Sequence, residues 1–423
     1  MQPLGLETVT EHTEQYPKPT RLQTLGSAIA MTANSAAALF TGLKVIGTTT
    51  EATLLKAEAQ VEQIYSGEDR YDVLHTLAAT GEGQASFLES RSSGAIVVRK
   101  VLRSVELNEH NRRSWGQGKY KYPNDAFIAN LMKPHPNIVR VFACQRHEEL
   151  SAEPGQYEIF MEHCNGGDLY LQAQHFIRMN GQVPDSFILH ATIQLLEAIA
   201  FIHHGLRYCG HGQYTIDPGF KPLVHGDIKP ENIFLKWNKP RKVEDLPVLV
   251  IGDFGCAKIA GEEHHDVSVG TEMYHAPEDV AIVGSPMVDC MEETFPLYLK
   301  LAKERAAPSD MYAIGLTLES LVLGQEDPLP PGHDFTKILL SEGYRRSTYK
   351  TECEHKQMIR LILQTLLMVN TKARGTADFD AKTGLLEDVH YLRLIRQDMI
   401  AAGNFDVDED LWVLTPPPAV DAE

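Results

Sequence analysis

The chain has 423 residues, room for one large domain with an extension and too few for a second large one. Hydrophobic residues make up 43% and charged residues 23%, the balance of a globular chain that buries a sizeable core. A formal net charge of -18 argues against nucleic acid as a main partner, because phosphate backbones reward Lys and Arg. Six cysteines without a CxxC favour free thiols in a reducing compartment over a disulfide scaffold.

Residues 1–65 read as an extension outside the main domain. Glu7, Glu11 and Glu14 deny the start the basic, acid-poor character of a leader. Residues 22–43 are uncharged and rich in Ala, but Thr, Ser, Asn and Gln dilute them, which argues against a membrane span. Leu54, Leu55, Val61 and Ile64 recur near a 3.6 period and predict a helix over residues 51–65, stopped by Gly67. From Tyr71 the pattern turns to short β-prone runs, so the main domain is placed over residues 71–400.

Residues 80–88 (TGEGQASFL) hold Gly81 and Gly83, and glycines let backbone N–H groups approach phosphate oxygens closely. A β-run over residues 95–100 then ends in Lys100. His135-Pro136-Asn137-Ile138-Val139 follows, and then residues 158–169 (EIFMEHCNGGDL). Phe187, Ile188, Ile193, Leu196, Ile199 and Ile202 predict a long helix over residues 187–204. His203, His204, Cys209 and His211 fall in a loop-like stretch behind it. A zinc site needs four converging ligands, so solvated loop histidines are the preferred reading there.

The chemistry concentrates in His225-Gly226-Asp227-Ile228-Lys229-Pro230-Glu231-Asn232 and in Asp253-Phe254-Gly255. Asp227 can accept the proton of an attacking hydroxyl, and Lys229 can neutralise a transferring phosphoryl group. Asn232 and Asp253 can hold the magnesium ions that bridge the phosphates of ATP. Residues 270–278 (GTEMYHAPE), 309–315 (SDMYAIG) and 370–374 (NTKAR) follow in order. Residues 287–303 read as an extra helix in the long stretch between Glu278 and Asp310. Residues 404–423 are acidic, contain Pro416-Pro417-Pro418, and read as a disordered or extended tail.

In order over residues 80–374, these segments resemble the eukaryotic-type protein-kinase family, whose catalytic loop reads H-R-D-x-x-x-x-N and whose metal loop reads D-F-G. The resemblance implies an α+β fold of two lobes. The small β-rich lobe would span residues 71–161 and the larger helical lobe 165–400, with ATP and Mg2+ between them. It implies phosphate contacts from Gly81, Gly83 and Lys100, and a nucleotide contact from Leu88 at the end of the glycine-loop motif. Met161 takes the gatekeeper place, the backbone of Glu162 and Cys164 would bond adenine, and Asp168 the ribose. Thr271 would bond the catalytic Asp227 and Lys229, Arg374 would pair with Glu278, and Asp310 would hold the backbone of the catalytic loop.

Three departures from the family pattern stand out. Ser86 replaces the third glycine and Ala85 the loop-tip aromatic. Ala126 falls where a helix glutamate should pair with Lys100, with Asp125 one position away and a methylene shorter; Glu106 and Glu109 lie upstream in a polar insertion. Gly226 replaces the arginine that pairs with an activation-segment phosphate. The segment itself already holds Glu262, Glu263 and Asp266 beside the acceptors Ser268, Thr271 and Tyr274. Activation by phosphorylation of that segment is therefore not expected.

The expected function is transfer of the γ-phosphoryl group of ATP to Ser/Thr hydroxyls of a protein substrate, because Lys229 matches the Ser/Thr-specific pattern. The runs GGDL and NIFL are locally most similar to NIMA-related kinases. A pseudokinase scaffold is the alternative, drawn from the same three departures. Small-molecule phosphotransferases of the aminoglycoside and choline type share H-G-D but lack segments like 270–278 and 309–315. The expected location is the cytoplasm, with the nucleus open, and no feature sets an oligomeric state.

Overall fold

The computed structural model describes residues 71–77, 83–102, 123–147, 156–238, 241–242, 245–262, 270–283, 291–325, 354–405, 407–414 and 416. The expectations for residues 1–65, Gly81, Glu106, Glu109, Glu263, Asp266, Ser268 and the distal tail lie outside the described residues.

The small lobe is built from β1 (Tyr71–Thr76), β2 (Gly83–Ser90), β3 (Ile96–Leu102), α1 (Asn124–Leu131), β4 (Val141–His147) and β5 (Gln156–Glu162). The strands form one antiparallel sheet in the order β1-β2-β3-β5-β4. Directly paired residues share a face of a sheet. Ala85 pairs with Lys100 and Phe87 with Val98, while Lys100 pairs with Ile159 and Val98 with Met161. These six residues therefore share one face. It is the face covered by α1, where Ala126 packs against Leu102 and Ile159.

Leu88 lies on the opposite face, buried with Ala143 and Phe160. This corrects the expectation that Leu88 contacts the nucleotide. Strand register has a period of two, so the pairing of β2 with β3 decides which residues face the cleft, and it selects Ala85 and Phe87 over Ser86 and Leu88.

The large lobe continues with α2 (Leu169–Asn180) and α3 (Asp185–His204). The strands β6 (Leu206–Gly210), β7 (Gln213–Ile216), β8 (Leu223–Val224), β9 (Ile233–Lys236), β10 (Val248–Ile251) and β11 (Lys258–Ile259) come next. The helices α4 (Pro277–Val283), α5 (Met291–Glu304), α6 (Ala307–Leu323), α7 (Glu354–Leu366) and α8 (Leu386–Ala401) complete it. By length and composition α3 could cross a membrane, but 94% of its apolar window is buried in this lobe, where it is the central core helix. Gly205, with φ 66°, ends it in the left-handed conformation that glycine adopts without strain.

Two expectations are corrected in this lobe. The stretch read as a loop after α3 is a hairpin, β6 paired with β7, and His203 is buried in the last turn of α3. The tail does not loosen at residue 404: Phe405 and Trp412 are buried. Trp412 meets Trp237 at 4.9 Å, Phe176 at 5.3 Å and Phe187 at 5.8 Å between ring centroids. Gln172 donates to the Leu411 carbonyl at 2.8 Å and accepts from the Val413 N–H at 3.0 Å. Large aromatic burial outweighs the acidic composition that predicted disorder.

Inside α6, burial pushes the Glu319 carboxyl up to about 7. The folded state then holds a proton that the unfolded chain has released between the ordinary carboxylate value and pH 7. Stability from this group is present at low pH and is lost as pH rises through about 7. Glu319→Gln is expected to match the native protein at pH 5 and to exceed it at pH 8 by on the order of 2 kcal/mol. Urea unfolding at the two pH values checks this, and an equal difference at both would refute it.

Candidate active site

The turn between β8 and β9 carries the reactive residues, and α6 holds it in shape. Asp310 accepts from the His225 N–H at 2.7 Å and the Gly226 N–H at 2.9 Å. His203 reaches the same carboxylate from α3 at 2.9 Å. Burial works to raise the Asp310 carboxyl, but these donors outweigh it and hold it below the ordinary range. The His225 ring donates to the Gly252 carbonyl at 3.1 Å and packs on Phe254 at 4.8 Å. Catalytic turn and metal loop are thereby joined through one buried imidazole.

Asp227, Lys229 and Thr271 converge. The Thr271 N–H donates to Asp227 Oδ1 at 2.7 Å, and Lys229 Nζ lies 2.7 Å from Thr271 Oγ1 and 3.2 Å from Asp227 Oδ2. Asn232 donates to the Asp227 carbonyl at 2.8 Å and to Asp227 Oδ2 at 3.0 Å. Burial works to lower the Lys229 ammonium, yet Asp227 outweighs it, so Lys229 titrates above the ordinary lysine range. It stays a cation beside the Asp227 carboxylate.

Lys100 Nζ lies 3.1 Å from Asp253 Oδ1 and 3.4 Å from Asp125 Oδ2. Asp125 therefore reaches the lysine that the missing helix glutamate would have met. It does so because α1 begins at Asn124, after Pro123, which puts Asp125 in the first turn, while Ala126 is spent on the apolar cluster beneath the sheet. Asn124, which the sequence reading passed over, ties the same turn to the metal loop. Its Nδ2 lies 3.1, 3.0 and 2.6 Å from the carbonyls of Phe254, Gly255 and Ala257. Burial works to raise the Asp253 carboxyl, but Lys100 holds it below the ordinary range. If the cleft turns over ATP as the sequence leads one to expect, Asp125→Ala should lower kcat/KM for ATP about 10- to 100-fold, because Lys100 loses a carboxylate that aims it. Steady-state kinetics over an ATP series checks this, and a change under twofold would refute it.

Mg2+ takes carboxylate and amide oxygens. Asp253 and Asn232 supply both kinds, and the Asn232 nitrogen is already committed to Asp227, which leaves its oxygen for a cation. The donor set fits Mg2+ with a polyphosphate neutralised by Lys100. Along the connection between the lobes, the Glu162 N–H donates to the Arg140 carbonyl at 2.9 Å and its carboxylate pairs with Lys236. Burial pushes the Cys164 thiol up to about 12, so it is not a nucleophile at neutral pH. Asp168 caps α2 by accepting from the Leu171 N–H at 2.8 Å. Farther out, Arg374 grips Glu278 at 2.6 and 2.8 Å.

The family model for the protein kinase domain matches residues 71–382. G2-specific protein kinase nimA of Emericella nidulans is 25% identical over 346 residues, 78% of this chain and 42% of that protein. Serine/threonine-protein kinase Nek2 of Homo sapiens is 27% identical over 220 residues, covering 51% of this chain and 42% of the relative. A probable serine/threonine-protein kinase nek2 of Dictyostelium discoideum is 29% identical over 214 residues, covering 50% and 43%. The matches thus span less than half the length of each of these relatives.

Proposed function

Since this chain belongs to the protein kinase family through residues 71–382, we propose that it transfers the γ-phosphoryl group of ATP to serine and threonine hydroxyls of protein substrates, in the cytoplasm or nucleus. The observation that carries this reading is the convergence of Asp227, Lys229 and Thr271, with Lys100 drawn to Asp253 in the same cleft.

In this reading Asp227 orients the substrate hydroxyl and takes its proton, and Lys229 balances charge developing on the transferred group. ATP with Mg2+ supplies that group. Lys100 and the backbone at Gly83, with Gly81, meet the phosphates; Asp253 and Asn232 hold the metal. The Glu162 N–H is committed to Arg140, so this residue meets adenine through its carbonyl, with the Cys164 N–H beside it. Asp168, fixed by the cap bond its Oδ1 accepts from Leu171, meets the ribose. The serine/threonine assignment draws support from Lys229 and from the names of the relatives.

A second reading, nucleotide binding without transfer, is favoured by Ala85 on the cleft face and by the short Asp125 in the glutamate's place. One experiment separates the two. The full chain is incubated with ATP and Mg2+ and a panel of basic model proteins, and the products are hydrolysed to phosphoamino acids. Phosphoserine or phosphothreonine supports the kinase reading, and phosphotyrosine alone corrects its specificity. Measurable ATP binding without transfer overturns it.

A further inference from the structure

The absent arginine before Asp227 leaves a question about what steadies the catalytic turn. Gly226 has φ 78°, and a Cβ there would lie 2.8 Å from the Cys256 carbonyl oxygen. Gly270, at the other side of Asp227, has φ 69°, and a Cβ on it would run into the Gly226 carbonyl. The space these two glycines leave holds a guanidinium from elsewhere in the chain. Arg305, one residue past α5, donates through Nη1 to the Gly226 carbonyl at 2.6 Å. That nitrogen would sit 3.2 Å from a Cβ on Gly270, so a side chain at that position would press on it.

Arg305 is itself held. It is 6% exposed, and its Nε donates to Asp279 Oδ2 at 3.2 Å. Asp279 is 2% exposed and accepts from Ser309 Oγ at 3.0 Å through its other oxygen. The helix that delivers Arg305 is also pinned at its end: Lys258 of β11 donates to the carbonyls of Ala302 and Lys303 at 2.7 and 3.0 Å. Those carbonyls belong to the last turn of α5, where the helix dipole favours a cation. The insert between Glu278 and Asp310 is thus fastened to the strand that follows the metal loop, and it presents one buried cation to the peptide beside Asp227.

We propose that Arg305 is a positioning residue that braces the catalytic turn from the insert, in the role left vacant at Gly226. A buried guanidinium stays charged at every working pH, and Asp279 is a fixed carboxylate of the fold, so the brace is complete without a phosphate on the activation segment. The catalytic part of this inference rests on the kinase reading above, whereas the mechanical part does not.

The test uses the full chain treated with a broad-specificity phosphatase, its unmodified mass confirmed. Treated native protein should keep its turnover. Arg305→Ala should lower kcat about 10- to 100-fold, with the KM for ATP within about twofold, the pattern of a misplaced catalytic group and not of lost nucleotide binding. Arg305→Lys should recover part of the loss, since an ammonium can meet the Gly226 carbonyl or Asp279 but lacks the planar fork that meets both. Amide hydrogen exchange should rise over residues 223–232 in Arg305→Ala and stay unchanged over α3.

Loss of activity on phosphatase treatment overturns the proposal. So does unchanged kcat in Arg305→Ala, or a loss that Arg305→Lys does not relieve at all. If Arg305→Ala does not fold, Arg305→Lys is read by its exchange and kcat under the same criteria. If the native protein transfers no phosphate, the kinase reading falls and exchange alone decides: faster exchange over residues 223–232 keeps the brace, and unchanged exchange removes it.

Discussion

Asp227→Asn should reduce phosphoryl transfer about 10³-fold or more while the protein stays folded and binds ATP. The substitution preserves size, so the loss isolates charge and proton affinity. In the native site Asp227 Oδ1 accepts from the Thr271 N–H, and Oδ2 lies against Lys229 and the Asn232 amide. Three donors thus point at one carboxylate. An amide there can accept through its oxygen only, so its NH2 faces either the Thr271 N–H, in the Oδ1 place, or both Lys229 and the Asn232 amide, in the Oδ2 place. It also cannot take a proton from an attacking hydroxyl. In the proposed reading ATP is held mainly by Lys100 and by the metal on Asp253, so ATP affinity should stay within about threefold, the signature of an interaction made only in the transition state. Radiometric turnover, ATP affinity and melting temperature on the same preparation check this. Residual transfer within about tenfold of native would remove Asp227 from the proton-accepting role.

How much of this site could be read from the chain depended on how local each contact is. Residues 225–232 fold as one tight turn, so Asp227, Lys229 and Asn232 are placed by a single short motif. The Glu278–Arg374 pair was legible although its partners are far apart, because each sits in its own recognisable segment. Leu88 failed for the opposite reason. Which β2 residues face the cleft is set by pairing with β3 across a short hairpin, and a one-residue offset exchanges the two faces. Alternation in the partner strand does not reveal it, since Val97, Val98 and Val101 are apolar on both faces.

His203 looked like a loop residue because the hydrophobic period of α3 ends at Ile202, yet the helix runs on to His204 before Gly205 stops it. Asp125 was displaced by counting back from His135, when the informative mark was Pro123 at the helix start. The tail carried its own signal in Phe405 and Trp412, two large aromatics that a disordered acidic segment has little use for. Arg305 carried none. It is a single arginine in an insert, and only the fold brings it to Gly226.

Arg374→Ala should destabilise the large lobe by about 3–5 kcal/mol, the penalty for breaking a buried ion pair from one side. The Arg374 side chain is fully buried, and besides the fork on Glu278 it donates to the Pro308 carbonyl at 2.7 Å and the Met368 carbonyl at 2.9 Å. Its guanidinium also lies over the Tyr312 ring at 5.0 Å. Removing it leaves those carbonyls without their donor. Glu278, 29% exposed at its side chain, can recover some water, so its ionised form is not stranded. The reverse truncation is worse placed: Glu278→Ala leaves a guanidinium with no exposed surface and no carboxylate, facing carbonyls and the Tyr312 ring, so it should cost at least as much. Urea unfolding of both variants and the double mutant measures the coupling between them. Arg374→Ala within about 1 kcal/mol of native would mean the pair behaves like a surface bridge, which the geometry excludes. Activity should fall along with stability, because Arg374 also fixes Pro308 at the start of α6. Two residues on, Asp310 holds the backbone of the catalytic turn, so a loss felt first as stability reaches Asp227 through a single helix end.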